Sequence, residues 1–592
     1  MPTAEMQATV LPSAATNITA LPQGCKKPFP SSGFSVHFEE IYHNGEMFPP
    51  GLWLHKTWES KHGEETTHEW ICSPIQVEAI TRSSHGTDYG RLICFVNLDG
   101  EQRQWAMPNL LLAGKSDSIL GPLMNMGLDV SYEHRNKVTA FIAEQRPTAR
   151  MIAATETGWH GEKLFIMPRQ NIGPGQVIFQ SDEVTQDDYR LGGTLHGWQT
   201  SIGRMCAGNP LLMLSICTAL AGPLLFHVQM NGGGFHLVGD SSTGKTIATI
   251  AGASVWGHGE KFIRTWLATG NGLEGIANER NDTILALDEI GEADAREIGA
   301  VVYALANGTG KTRATRTGSA RRTKRWRIML LSTGELGLGA LMAEGGQRIR
   351  AGQEVRLLDI SAHRTHGAWD TLHGLDDGRQ FSDAIRRGSM SHYGHAGPEF
   401  VRKLIESGES IHLPDLLKNF RAQFPCSGGQ ESRAADRFAL VAMAGELAIR
   451  FGILPIPAGA VSEAMLQLFS SWRTARGEGP SENRKVLDSI SAFIARYAGS
   501  RFQSAAVRSP AVRDRAGLWV ETEDGGRLYL FTRSGLEEAA KGYSLERIVL
   551  ALDSVGAITK READKNQAQK RLPEGGKERF YWINPETLSR PD

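Results

Sequence analysis

Cysteine is scarce: there are six (Cys25, Cys72, Cys94, Cys206, Cys217 and Cys426), and no two stand in a C-x-x-C pair. That spacing argues against a zinc ribbon and a disulfide framework and is the pattern of a reduced, cytoplasmic setting. Long apolar runs are scarce too. The strongest, LLMLSICTALAGPLLF at 211–226, is shorter than a bilayer span and contains Pro223, so a buried helix is expected there and no membrane partner. No Lys or Arg precedes Lys26 and no apolar run does, so no secretory leader is expected. The N-x-T triplets beginning at Asn17, Asn281 and Asn307 then carry no glycosylation meaning. Charge of one sign is lacking as well. Lys and Arg number 64 against 65 Asp and Glu, a net −1, so any surface for a polyanion must be local. No D-x-D pair of the kind that holds two metals occurs in the N-terminal half, which argues against primase chemistry.

What is present reads as a multidomain globular chain. Hydrophobic residues make up 41% and charged residues 22%, and 592 residues exceed one core, so three or four domains are expected. Residues 1–33, rich in Ala, Thr, Pro and Ser, read as a flexible tail. Residues 34–190 read as a β-rich N-terminal domain: WICSPIQVEAI, RLICFVNL and KLFIMP are β-prone runs between turn pairs such as Asp99-Gly100 and Pro174-Gly175. In 191–375 a helical apolar stretch is followed by FHLVG, TILALD, RIMLLS and EVRLLDI alternating with helical segments, the rhythm of a parallel α/β sheet. Residues 376–478 read as helical, notably ADRFALVAMAGELAIRFGI. Residues 479–592 mix helices and hairpins and end in a winged-helix-like order, a helix (544–555) and then a hairpin. That hairpin carries Lys560, Arg561, Lys565, Lys570, Arg571, Lys577 and Arg579 with four acids interleaved, so a solvated face and a DNA contact compete.

GDSSTGKT, spanning Gly239, Asp240, Ser241, Ser242, Thr243, Gly244, Lys245 and Thr246, fits G-x-x-x-x-G-K-[ST] between an apolar strand and a helical stretch. Glycines let backbone N–H groups wrap a phosphate. Lys245 would meet the β- and γ-phosphates of ATP, and Thr246 would hold Mg2+. In TILALDEI an apolar strand delivers Asp288, for Mg2+, and Glu289, to orient the attacking water. WRIMLLSTGE delivers Thr333, either a polar sensor of the γ-phosphate or a Ser/Thr turn residue. Arg356, just before LLDI, is the candidate arginine finger, with Arg348 and Arg350 as rivals; a solvated surface arginine is the alternative for each.

A second G-K-T, in GTGKTRATRTGSARRTKR at 308–325, lacks the first glycine of the motif because Leu305 stands there. From Lys311 to Arg327 run eight basic residues (Lys311, Arg313, Arg316, Arg321, Arg322, Lys324, Arg325 and Arg327) without an acid, split by Gly318-Ser319 as a hairpin turn would split them. In a near-neutral chain this is a candidate polyanion site, with a solvated basic loop as the alternative.

Residues 236–362, with TWLATGNGLEGIANERNDTILALDEIGEADAREIGAVVYALANGTGKTRATR, WRIMLLSTGE and AGQEVRLLDI, resemble the ATPase domains of unknown function (domain of unknown function 927) carried by bacterial mobile elements and prophages. That family is related to the MCM replicative helicases and includes Cch-type self-loading helicases. The resemblance runs most clearly from about 230 to 362 and continues through SRAADRFALVAMAGELA at 432–448. It implies an AAA+ ATPase core with a helical lid, assembled as a hexameric ring, in which the basic hairpin projects into the channel and grips DNA. It supports Arg356 as the finger and implies a sensor-2 arginine on the lid helix, Arg437 with Arg433 close behind. The chain departs from the pattern in lacking the N-terminal zinc ligands of MCM relatives and in having Thr333 where AAA+ proteins commonly have Asn. The implied function is an ATP-dependent replicative DNA helicase acting on single-stranded or forked DNA, with a primase or an origin-binding protein as a further partner. The alternatives are a non-unwinding ATPase switch that loads a partner on DNA or acts in phage defence, and an origin-binding initiator.

Overall fold

The computed structural model describes residues 29–588 except 62, 169, 176, 181–187, 311–322, 348–350, 427, 477–480, 507–509, 524 and 563–564. The tail expected over 1–33 lies outside the described residues as far as 28, but not to its end. Phe29 is buried against Phe48, Trp53 and the rings of His37, His43, His55 and His68, and a strand begins at Gly33.

Strands Gly33–His37, Gly51–Ser60 and Gly63–Cys72 form an antiparallel sheet, and Val177–Phe179, Arg150–Ala154, Ile75–Arg82, Gly90–Val96 and Gln102–Pro108 form a five-stranded mixed sheet in that order. Alternation decides which side is covered: Ile75, Val77, Ile93, Phe95, Trp105 and Met107 share one core with Ile119, Leu123, Val138 and Phe141 of two short helices. The division expected at 190 is not where packing divides the chain. A small meander, Gly158–Trp159, Phe165–Ile166 and Asn171–Ile172, leaves this unit, and its Trp159, Phe165 and Ile172 pack into the next core. The chain then returns to the first unit at Val177–Phe179.

The central sheet is wholly parallel: β1 (Gly233–Val238), β2 (Arg264–Thr265), β3 (Thr283–Asp288), β4 (Ile328–Gly334) and β5 (Leu357–Ser361), in the spatial order β2-β3-β4-β1-β5. The strands read as unbroken apolar runs because helices cover the sheet on both faces. Helix α1 (Pro210–Ala221) holds the first part of the apolar run noted above, which breaks at Gly222-Pro223 before a short helix at Leu224–His227, and every residue of α1 is buried, so it has no amphipathic stripe. Helices α2 (Lys245–Ala253), α3 (Gly378–Ser391), α4 (Gly429–Arg450) and α5 (Ala460–Arg476) pack around it and the sheet. Residues 376–478 do not build a separate core. Phe381, Phe400, Phe438 and Phe469 share one cluster with Phe235, Ile216 and Trp256, and the rings of Phe235 and Phe438 meet edge-on at 5.0 Å.

Residues 481–588 have their own core, built by Val486, Ile490, Phe531, Leu552 and Ile583. Two short helices (Arg533–Ala539 and Leu545–Ser554) precede an antiparallel hairpin, Ala568–Arg571 with Lys577–Ile583. Several of its cations are engaged within the chain. Arg561 binds Asp553, Arg579 lies 3.5 Å from Glu562, and the Lys560 ammonium sits 4.9 Å over the Trp582 ring. Among the described residues no helix is long and apolar enough to cross a membrane.

Candidate functional site

The site stands at the C-terminal edge of the parallel sheet, where open α/β sheets bind ligands. β1 ends at Val238, and the chain turns through Gly239–Gly244 into α2. Gly244 requires glycine for two reasons. Its φ is +103°, and a Cβ there would come within 3.1 Å of the Trp369 ring. Ser242 also takes a left-handed conformation (φ +62°), the backbone state that anion-binding turns use. Lys245 Nζ donates to the carbonyls of Gly239 (2.8 Å) and Asp240 (2.6 Å), which holds the ammonium across the mouth of the turn.

β4 lies between β1 and β3 and supplies the link between loop and acids. Thr246 Oγ1 donates to Asp288 Oδ1 at 3.1 Å, and Thr333 Oγ1 donates to the same oxygen. Thr333 Oγ1 also accepts the Glu289 N–H at 3.2 Å. One hydroxyl thus fixes both acids. Glu289 adopts φ +51°, an uncommon conformation for a side-chain-bearing residue, and its carboxylate accepts the Gly291 N–H at 3.1 Å. Thr246 Oγ1 and the Asp288 carboxylate are adjacent hard oxygen donors, which fits Mg2+. The Lys245 ammonium beside this turn fits a polyphosphate.

Beneath these groups runs a buried relay that the sequence did not disclose. The Trp266 Nε1–H donates to Ser332 Oγ at 2.9 Å; Ser332 Oγ meets His236 Nδ1 at 2.9 Å; His236 Nε2 meets the Leu336 carbonyl at 3.0 Å. Indole can only donate and a carbonyl can only accept. The imidazole therefore carries its proton on Nε2, and the Ser332 hydroxyl donates to Nδ1. Burial lowers the His236 pKa and favours this neutral form, while burial raises that of the neighbouring Asp359.

The structure gathers the phosphate turn, Asp288, Glu289 and Thr333, but not the arginines. Arg437 is buried at the opposite end of β1, where its guanidinium caps the carbonyls of Val355 and of Gly232 (3.0 Å). β1 is six residues long, so Arg437 stands about 20 Å from its own phosphate turn. It does not meet the sensor-2 expectation within the chain. Burial, with Arg356 nearby, lowers its pKa to about 10. Arg433 is exposed. Arg356 sits at the same far end, 3.0 Å from Asn307 Oδ1 and 4.1 Å over the Tyr303 ring. Arg348 and Arg350 lie outside the described residues.

The basic segment lies mostly outside them too: Lys311, Arg313, Arg316, Arg321 and Arg322 are not described, whereas its two flanks are. Gly310 N–H donates to the Lys324 carbonyl and Trp326 N–H to that of Gly308, both at 3.0 Å, an antiparallel pairing anchored by the buried Trp326. Lys324 and Arg325 are exposed. Arg327 is engaged elsewhere, bidentate on the buried Asp282 at 2.7 and 3.0 Å.

A glycine-framed turn closing β1, acids closing β3 and a polar strand end between them stand at one edge of a parallel sheet, and the protein is of the α/β class. Residues 43–326 match the model of a family described as a domain of unknown function, DUF927, so the resemblance read from the sequence holds there. It begins well inside the β-rich region, earlier than the sequence resemblance placed it. The fold is similar to that of a solved structure titled "SCCmec type IV Cch - active helicase", with 18% identity and a TM-score of 0.65 over 90% of this chain and 99% of that one. The comparison with curated proteins found no match.

Proposed function

We propose that the protein is an ATP-dependent DNA helicase of the mobile-element type, working as a hexameric AAA+ ring. The observation that carries the reading is the meeting of Thr246, Asp288, Glu289 and Thr333 at one edge of the sheet. The likeness in fold to a helicase supports it. In this reading Lys245 binds the β- and γ-phosphates of ATP, and Thr246 and Asp288 hold Mg2+, which would offset charge on the transferred phosphoryl group. Glu289 orients the attacking water, and Thr333 keeps both acids in place. Arg356 acts on a neighbouring subunit's nucleotide. The hairpin rooted at 308–310 and 324–326, with the exposed Lys324 and Arg325, tracks DNA phosphates in the channel without reading bases. The C-terminal unit, read as a winged helix, adjusts the ring or recognises DNA.

Strand displacement on a forked duplex with ATP and Mg2+ tests this, with Lys245→Ala beside wild type. Displacement by wild type alone is expected. ATP hydrolysis without displacement and without response to DNA would replace the helicase with a non-unwinding switch. Hydrolysis retained by Lys245→Ala would remove the phosphate turn from the reaction.

A further inference from the structure

The loop after β5, residues 362–370, is no part of the phosphate-binding motif, yet it is built onto it. Ala368 N–H donates to the Thr243 carbonyl at 2.7 Å. Gly367 (φ +79°) allows the approach, since a Cβ there would stand 2.6 Å from that carbonyl oxygen. Trp369 is fully buried beneath Gly244 and donates to Ser382 Oγ at 2.9 Å. The far end is tied by the fully buried Asn209. Its Oδ1 accepts the N–H groups of Asp370 (2.9 Å) and Thr371 (3.0 Å), and its Nδ2 donates to the Thr371 carbonyl (2.9 Å). Within the loop Arg364 N–H donates to Gly367 and His366 N–H to Trp369, both at 2.7 Å. A loop tied at this many points is rigid, and it places His363 beside the phosphate turn, with Arg364 next to it in the chain. His363 Nε2 lies 3.9 Å from Asp240 Oδ2, with the ring 58% exposed. Arg364 Nε is buried without a hydrogen-bond partner among the described residues.

Strand order gives this position its meaning. β1 has β4 on one side and β5 on the other. The groups for the terminal phosphate and its metal, Asp288, Glu289 and Thr333, all lie on the β4 side. A nucleoside triphosphate whose terminal phosphate points toward them must leave the turn on the β5 side, where the 362–370 loop stands. We propose that this loop is the nucleoside seat of the site: His363 offers its ring face to the base, and Arg364 offers guanidinium donors to the ribose and α-phosphate end. The inference rests on the reading of the phosphate turn as a nucleotide site and adds the residues that separate a nucleotide from a bare polyphosphate.

Calorimetric titration of the full chain with ATP and with inorganic tripolyphosphate, each with Mg2+, tests it on wild type, His363→Ala, Arg364→Ala and Lys245→Ala. Loss of one base–aromatic contact should weaken ATP binding by His363→Ala about ten-fold. Tripolyphosphate binding should stay at the wild-type value, because that probe has no nucleoside. The exposed position of His363 keeps the fold out of the measurement, and Arg364→Lys provides a second variant that retains charge but loses the fork. ATP affinity within two-fold of wild type in both alanine variants would overturn the seat. Equal weakening of both ligands would overturn it as well, since the loop would then only prop the turn. If Lys245→Ala binds both ligands as wild type does, the nucleotide reading itself fails, an outcome distinct from the first two.

Discussion

Replacing Ser332 by Ala should destabilise the central sheet strongly for the loss of a single oxygen atom. The Ser332 hydroxyl accepts from Trp266 Nε1 and donates to His236 Nδ1, and all three side chains are buried. In Ser332→Ala the indole N–H and the imidazole nitrogen both lose their partner where water does not reach. Each buried polar group left unsatisfied costs about 1–3 kcal/mol, so the sum is about 2–6 kcal/mol. A surface Ser→Ala change falls within about 0.5 kcal/mol. Hydrogen exchange of peptides covering β1 and β4 reads the effect locally, which matters in a chain with several cores. A second variant separates the two halves of the relay. In a Trp266→Phe background the indole donor is already gone, so Ser332→Ala should cost less by about 1–2 kcal/mol. Protection of β1 and β4 within about 0.5 kcal/mol of wild type would refute the relay, and strict additivity in the double variant would refute the Trp266 half of it.

Thr333→Val keeps the shape of the side chain but removes the hydroxyl that joins Asp288 to the Glu289 N–H. ATP hydrolysis should fall about ten- to a hundred-fold, the size of a small misplacement of reacting groups; a steady-state rate within two-fold of wild type would sink the positioning role. Acid should loosen the N-terminal sheet. Burial first, then the neighbouring His68, His37 and His43, lowers the His55 pKa from 6.5 to about 4. The folded form therefore binds fewer protons than the unfolded one in that interval. The His55 contribution is complete above pH 6.5 and is lost as pH falls toward 4, at most about 3 kcal/mol. Protection of the strand Gly51–Ser60, taken relative to the intrinsic exchange rate at each pH, should fall between pH 7 and pH 5 in wild type and change less in His55→Gln, and a pH-independent protection of that strand would disprove it.

The residues that gather at the candidate site were legible in sequence because each element announces itself locally. A glycine-framed turn with Lys and Thr must follow a strand, and acids at the end of an apolar run must stand at a sheet edge. Thr333 was legible as a strand-end residue, but its bond to Asp288 was not, since 45 residues separate them and only the sheet order places β4 between β1 and β3. Arg437 shows the opposite failure. The family resemblance implied a sensor-2 arginine on that helix and pointed to Arg437, and the packing of the helix carries it to the far end of β1. The basic run behaved likewise: composition marks a cationic segment, but only pairing with Asp282 takes Arg327 out of it.

By itself the sequence determined the phosphate turn, the acidic strand, the apolar runs of a covered parallel sheet and the cationic segment. Each of these is a pattern of neighbours along the chain, fixed by backbone geometry and side-chain period. Only the tertiary structure decided that residues 376–478 share the core of the sheet, that the 158–172 meander joins it, that Trp266, Ser332 and His236 form one relay, and that the loop after β5 lies on the phosphate turn. Those contacts join residues up to hundreds of positions apart. They exist because burying apolar faces selects one packing from many, and no local pattern records which faces will meet.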